Sequence, residues 1–218
     1  MAIAFVAASS GSSAFSATSV LIAVPAGTVN GYVMVACVTT NGETTTISPP
    51  AGWTAIRGDA YSAAGRQQMW YRVASSEPAN YTWTVVAGSS LAGGIISLSG
   101  VDTTTPTDGD TGAASNDGLT SIIAPSITTS VANTMLVGFF GAHDSATSIA
   151  VATGMTERIA SVHPDVFTTL EAATEAVVAI GATGTRSATA NVAARDLAQM
   201  VAMRPATAGC LGLLLGVG

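Results

Sequence analysis

Short runs in which apolar and polar residues alternate, each broken by turn chemistry, fill this chain. Ala2 to Ala8 places Ile3, Phe5 and Ala7 on one face and reads as a strand. Further strands are predicted at 18–24, 31–39, 53–60, 67–73, 80–86 and 91–98, where β-branched and aromatic residues favour extended backbone. Between them lie Pro25-Ala26-Gly27, Asn41-Gly42, Pro49-Pro50-Ala51-Gly52, Ala64-Gly65, Glu77-Pro78 and Ala87-Gly88, all turn formers. A spacing of about a dozen residues is that of an all-β sandwich or barrel. Alternation puts Tyr81, Trp83 and Val85 on a core face, with Thr82 and Thr84 opposite.

The pattern occurs twice. Residues 18–54 align without a gap to residues 120–156, with Thr18/Thr120, Val35/Val137, Ile47/Ile149, Gly52/Gly154 and Thr54/Thr156 identical. Val20/Ile122, Met34/Leu136 and Trp53/Met155 keep apolar positions apolar, and Ile95-Ile96-Ser97-Leu98 pairs with Met200-Val201-Ala202-Met203. The period is far longer than a solenoid repeat, which points to a doubled domain. The expected organisation is two copies, about 18–100 and 120–205, within a β unit spanning 1–205. A surface loop at 101–119 would join them, and an apolar tail at 206–218 would follow. Residues 166–180 carry enough Ala and Glu for a helix, but their alignment with 67–73 favours strand. The second copy has no Trp or Tyr, so each copy alone would struggle against chain entropy. One large two-sheet sandwich of jelly-roll type is therefore preferred over two tandem immunoglobulin-like domains.

Composition narrows the function. Of 218 residues only 9% are charged, the net charge is −6, and the basic residues are seven Arg with no Lys. That argues against nucleic acid as a partner, because no phosphate-neutralising surface can form. No apolar run is long enough to span a membrane, and the start lacks the basic residues of a secretory signal. The chain is expected to be made in a host cytoplasm. Cys37 and Cys210 form neither a disulfide framework nor a metal motif, and Cys37 reads as a small buried hydrophobe.

Catalytic patterns are missing. His143 and His163 sit outside any spaced ligand set and read as turn residues, His143-Asp144 in the place of Asn41-Gly42 and His163-Pro164-Asp165 in a loop. Ser9-Ser10-Gly11-Ser12-Ser13 reads as a flexible stretch rather than a nucleophile elbow. Asp102, Asp108, Asp110 and Asp117 could gather round a hard cation, yet match no calcium loop and have ordinary turn composition. No cofactor or metal is expected, and no enzyme. Most aromatic residues read as core; Trp70, sharing a face with Gln68 and Arg72, is the one expected to be partly exposed and able to stack on a glycan.

Pro49-Pro50-Ala51-Gly52-Trp53-Thr54, Tyr71-Arg72-Val73-Ala74, Glu77-Pro78, Tyr81-Thr82-Trp83, Ala92-Gly93-Gly94-Ile95 and Gly100-Val101-Asp102-Thr103-Thr104 with Pro106 resemble a module of tailed-phage structural proteins and related bacterial proteins. The second copy has the shorter pattern Gly154-Met155-Thr156-Glu157-Arg158, ending in Met203-Arg204-Pro205. The resemblance covers about residues 18–205 and implies a β-sandwich virion component: head decoration, fibre or minor tail protein. Its partners would be other virion proteins and further copies of itself; the alternative is a host-adhesion module that binds a glycan. The tail carries Leu211, Leu213, Leu214, Leu215 and Val217 with no charged side chain, and is expected to dock on a neighbouring subunit.

Overall fold

The computed structural model describes residues 2–41, 46–61, 65–115, 118–143, 145–165 and 167–207. Every regular element among them is a β-strand. In the first half these are β1 (Ala4–Ala23), β2 (Val33–Thr40), β3 (Ile47–Ser48), β4 (Thr54–Tyr61), β5 (Gly65–Val73) and β6 (Asn80–Ser99). In the second half they are β7 (Thr107–Ser115), β8 (Ser121–Ala124), β9 (Thr128–Thr129), β10 (Thr134–His143), β11 (Ile149–Ala150), β12 (Thr156–Asp165), β13 (Thr168–Val177), β14 (Gly181–Ala182), β15 (Arg186–Ala190) and β16 (Asp196–Met203).

Two antiparallel sheets dominate, one ordered β1-β6-β2-β5-β4 and the other β12-β13-β10-β16-β7. Their facing surfaces share one core: Val33, Val35, Cys37, Met69 and Ile96 from the first with Val137, Phe139, Leu170, Val201 and Met203 from the second. Alternation sends the intervening residues outward, and these are buried as well. Met34, Ala36, Val38 and Trp70 pack against Val20, Ile22, Ile47, Tyr81 and Trp83. On the other side Leu136, Phe140, Ala198 and Met200 pack against Ile122, Ile149, Ala188 and Ala190, from the small sheet β11-β15-β8. The molecule is thus a β-sandwich whose two large sheets each carry a further layer outside.

In the first half the outer layer is the far end of the same strands. A Cβ at Gly11 would collide with the Leu21 carbonyl, although ten residues of straight strand would separate the two by about 33 Å. The β1–β6 ribbon therefore folds back over its own sheet, bending where its register is irregular between Ser13 and Ser19, with Ser16 at φ 72°.

Several expectations change. Ala87-Gly88 is no turn, since 80–86 and 91–98 belong to one strand, β6. Ser9 to Ser13 is not flexible but pairs with Leu91 to Ile95. The joining loop is shorter than 101–119, because 107–115 is β7, paired with β16. In both cases backbone hydrogen bonds hold a strand whose small side chains give no hydrophobic period. His143 ends β10 in the core rather than lying in a turn, and His163-Pro164-Asp165 belongs to β12, an edge strand that tolerates proline. Residues 168–177 are strand, as their alignment with 67–73 favoured over helix.

The two sheets correspond pair by pair. Adding 102 to the numbers on β2 and 105 to those on β6 turns the pair Val33–Leu98 into Met135–Met203, an observed pair of β10 and β16. The same shifts turn Ser13–Leu91 into Ser115–Asp196 and Ile47–Val85 into Ile149–Ala190. With 103 for β5, Ala55–Trp70 becomes Glu157–Ala173, and the bulge between Ala55 and Arg57 recurs between Glu157 and Ile159. The segments that leave the two sheets also pair with each other: Asp102 donates its N–H to the Arg204 carbonyl at 2.9 Å, and Ala206 to that of Gly100 at 2.8 Å.

Glycine lets the sheets approach. A Cβ at Gly94 would collide with the Ile159 side chain across the interface. Gly94→Val is expected to cost about 1–3 kcal/mol in urea unfolding. Combined with Ile159→Ala, the loss should be smaller than the sum of the two single effects.

Candidate functional site

Trp70, the residue proposed to stack on a sugar, has no exposed face. It lies in β5 with a relative exposure of 0%, and its ring centroid is 6.2 Å from that of Trp83. Sequence alternation correctly grouped it with Gln68 and Arg72, but the folded-back end of the β1–β6 ribbon covers that face. Arg72 is engaged as well: its Nε donates to Glu77 Oε1 at 2.9 Å, and Nη1 donates to the Ala51 carbonyl at 3.2 Å. Burial pushes the Glu77 carboxyl up, but hydrogen bonds from the Tyr81 hydroxyl, the Ser75 N–H and Arg72 outweigh it and hold the group below its ordinary range. The exposed aromatic pair is elsewhere. Phe15 and Phe167 are 61% and 43% exposed with centroids 5.6 Å apart, and Asp165 accepts the backbone N–H of both. Neither ring lies on an alternating face, so no periodicity marks them.

Several of the charges are used internally. Arg57 forks onto Asp59 at 2.6 and 2.7 Å and reaches Asp110 at 3.4 Å. Arg186 pairs with Glu175, and Arg204 with Asp108 at 2.8 Å. Burial pushes the Asp108 carboxyl up, but hydrogen bonds from the Ser130 hydroxyl, the N–H groups of Ser130 and Val131, and Arg204 outweigh it and hold the group below its ordinary range. Asp102 accepts from the N–H groups of Thr104 and Thr105. The three carboxylates thus face separate donor sets, and among the described residues no group of His, Cys, Asp and Glu is arranged to hold a metal. Asp117 lies outside the described residues. His143 is buried, with Nε2 3.3 Å from the Thr39 hydroxyl.

The solvent faces of the two outer layers are apolar and hydroxylic at their centres. On the first, Leu21 is 58% exposed opposite Thr82, and on the second Ile123 is 46% exposed opposite Ser187. The shifts that relate the sheets carry Leu21 onto Ile123 and Thr82 onto Ser187.

A groove opens where the paired segments 100–102 and 204–206 leave the sheets. It has a volume of about 590 Å³ and is lined by Ala2, Asp102, Val131, Arg204, Ala206 and Thr207, among others. A smaller hollow of about 110 Å³, which shares Ala2 and Asn133, continues it past Ile3, Met135 and Val177. No local pattern marks it, because segments distant along the chain build it. Residues 211–217, expected to contact a subunit, lie outside the described residues.

Comparison with known proteins finds no matching family model, no matching curated protein and no matching solved structure.

Glu171 is the chemical oddity of the second half. It is fully buried in β13 opposite Phe140, and neither carboxyl oxygen has a hydrogen-bond partner. Burial, assisted by the charge of Glu157, pushes its pKa up to about 8. The folded protein holds this proton in a range where the unfolded chain has released it. Stability from this group is therefore complete below about pH 4.5 and is lost as the pH rises towards 8. Glu171→Gln should flatten that fall, seen as a smaller difference in urea midpoint between pH 5 and pH 8. An unchanged pH dependence would show that the carboxyl does not control it.

Proposed function

We propose that this chain is a non-enzymatic structural component of a phage virion that works through protein–protein contacts with other virion subunits and with copies of itself. The observation that carries this reading is the pair of uncharged outer faces centred on Leu21 and Ile123. A face without charges has little to desolvate when protein packs on it, and depletion of charge is the mark of interface centres. The resemblance to tailed-phage modules adds the setting: head decoration, fibre or minor tail.

The fold is read as a tandem duplication, supported by the shared register and the recurring bulge. On this reading the copies begin near Ala4 and Thr107, earlier than the aligned segments. Each copy is a small sandwich of one large and one small layer, joined to its twin through the large sheets. That arrangement fits the layers better than a single two-sheet jelly roll.

A second reading, adhesion to a host glycan, is favoured by the Phe15–Phe167 pair rather than by Trp70. Aromatic rings on a rigid scaffold can stack on the apolar face of a sugar. A glycan array would show binding abolished by Phe15→Ala and left intact by Thr82→Ala.

The structural reading is tested by quantitative mass spectrometry of purified particles with Leu21→Asp/Ile123→Asp against the parent chain. Both positions are exposed, so the variant should fold with stability within about 0.5 kcal/mol of the parent. Its incorporation should fall at least tenfold. Full incorporation of the variant would reject these faces as the contact surface, and absence of the parent chain from particles would reject the virion role.

A further inference from the structure

The two outer faces share a pattern but differ in how far their polar groups are already used. On the first, β1, β6 and β3 lie side by side: Ser19 is opposite Thr84, Leu21 is opposite Thr82, and Ser48 faces Thr84 from the other flank. Ser19, Thr84 and Ser48 thus form a row of hydroxyls across the layer. Leu21 stands one step beyond the row on β1, and Val86, 81% exposed, stands one step beyond it in the opposite direction on β6. The segments 17–23, 47–48 and 80–86 that build this layer contain no charged residue. Among the described residues, the hydroxyls of Ser19, Ser48, Thr82 and Thr84 bond no other protein group.

The second face closes on itself instead. There the hydroxyls of Ser121 and Ser187 lie 2.8 Å apart. The shifts that relate the sheets carry Ser48 onto Ala150, which removes the third hydroxyl of the row, and Val86 onto Asn191. The Asn191 side-chain oxygen accepts the N–H groups of Thr147 and Ser148, and its Nδ2 donates to Thr147 Oγ1. Only the first face keeps both its hydroxyls and its apolar side chains open.

The chemistry of that face selects its occupant. A charged partner surface would be desolvated against groups that cannot neutralise it. A hydroxyl both donates and accepts, so a row of hydroxyls is complementary to a copy of itself, which is what a twofold interface requires. Two copies of net charge −6 repel over most of their surface, and here nothing charged is brought together. Tyr81 and Trp83 fill the layer beneath, so the face is rigid and loses little freedom on docking.

We infer that the first outer face pairs with the same face of a second copy of this chain. With the twofold axis along the hydroxyl row, the row meets itself and Leu21 of each copy meets Val86 of the other. The footprint is about 20 by 15 Å from strand rise and spacing, small beside the ~800 Å² per partner of stable complexes. The dimer is therefore weak, with a dissociation constant of order 0.1 mM. The inference rests on reading the outer faces as contact surfaces and not on the virion setting.

Sedimentation equilibrium of the full chain from about 1 µM to about 1 mM tests it. The mass should rise from monomer to dimer and stop there. Leu21→Asp and Thr84→Arg should each weaken the dimer at least about tenfold, while Ile123→Asp leaves it unchanged. Leu21→Lys and Val86→Glu should each weaken self-association, yet the two variants mixed should form a heterodimer, since each cation then meets the other copy's carboxylate. A parent chain that stays monomeric throughout would overturn the inference, as would an association that Ile123→Asp abolishes or that grows beyond the dimer. A monomeric parent that still enters particles, and loses its place there on Leu21→Asp/Ile123→Asp, would overturn the dimer and leave the contact role of the faces standing.

Discussion

The contact between the faces of the two large sheets sets the terms for the rest of the molecule. Its central strands, β2 and β10, are buried along their whole length, one face towards the other sheet and the other towards an outer layer. A strand so placed has no solvent side on which to carry a charge, and it reads as a continuous apolar run rather than an alternating one. Interiors are close-packed, so layers can meet only where side-chain volumes match. Gly94 leaves room for Ile159, and Gly141 approaches the amide of Gln67 so closely that a Cβ there would collide with it. The chain's poverty in charge and its wealth of Ala and Gly follow from this layering.

Neutrality, not residue identity, is what the corresponding positions preserve. In the first half Arg72 on β5 pairs with Glu77, which also receives the Tyr81 hydroxyl. The shifts that relate the sheets carry Arg72 onto Glu175 and Tyr81 onto Arg186. These two form an ion pair between β13 and β15, whereas Glu77 lies in the connection between β5 and β6. The seams differ in kind: Arg57, Asp59 and Gln199 make a polar lock on one side, while their counterparts on the other include Ile159 and Gly94 in apolar contact.

Much of this was legible where side chains alternate against a core. The faces of Tyr81, Trp83 and Val85 and the burial of Cys37 follow from residue type and spacing alone, and the strand at 168–177 from its alignment with 67–73. Ser9 to Ser13 and Thr107 to Ser115 were illegible because a strand of Ser, Gly, Ala and Thr is held by its backbone ladder, which leaves no hydrophobic period. Trp70 was misplaced for another reason. Alternation tells which residues share a face but not what covers that face, and the cover here is a ribbon that returns from the far end of its own sheet. Glu171 and the groove depend on contacts between segments remote in sequence, so no local pattern could mark them.

The halves share a register yet not the same means of holding their outer layers. Trp53, Trp70, Tyr81 and Trp83 fill the first outer core, with Trp53 in edge contact with Tyr81 and Trp83 at centroid distances of 5.3 and 5.2 Å. Such pairs add about 0.5–1.5 kcal/mol each beyond the area they bury. The corresponding positions of the second half are Met155, Ala173, Arg186 and Ala188, which bury less and make no ring contacts. There the outer layer is a separate small sheet rather than a continuation of long strands, and the place of Gln68 is taken by the buried Glu171. The second outer layer is thus the weaker one, and Glu171 makes its weakness grow with pH. Opening of the molecule short of full unfolding should therefore begin with β11, β15 and β8, while the aromatic half keeps the shared sheet interface in place.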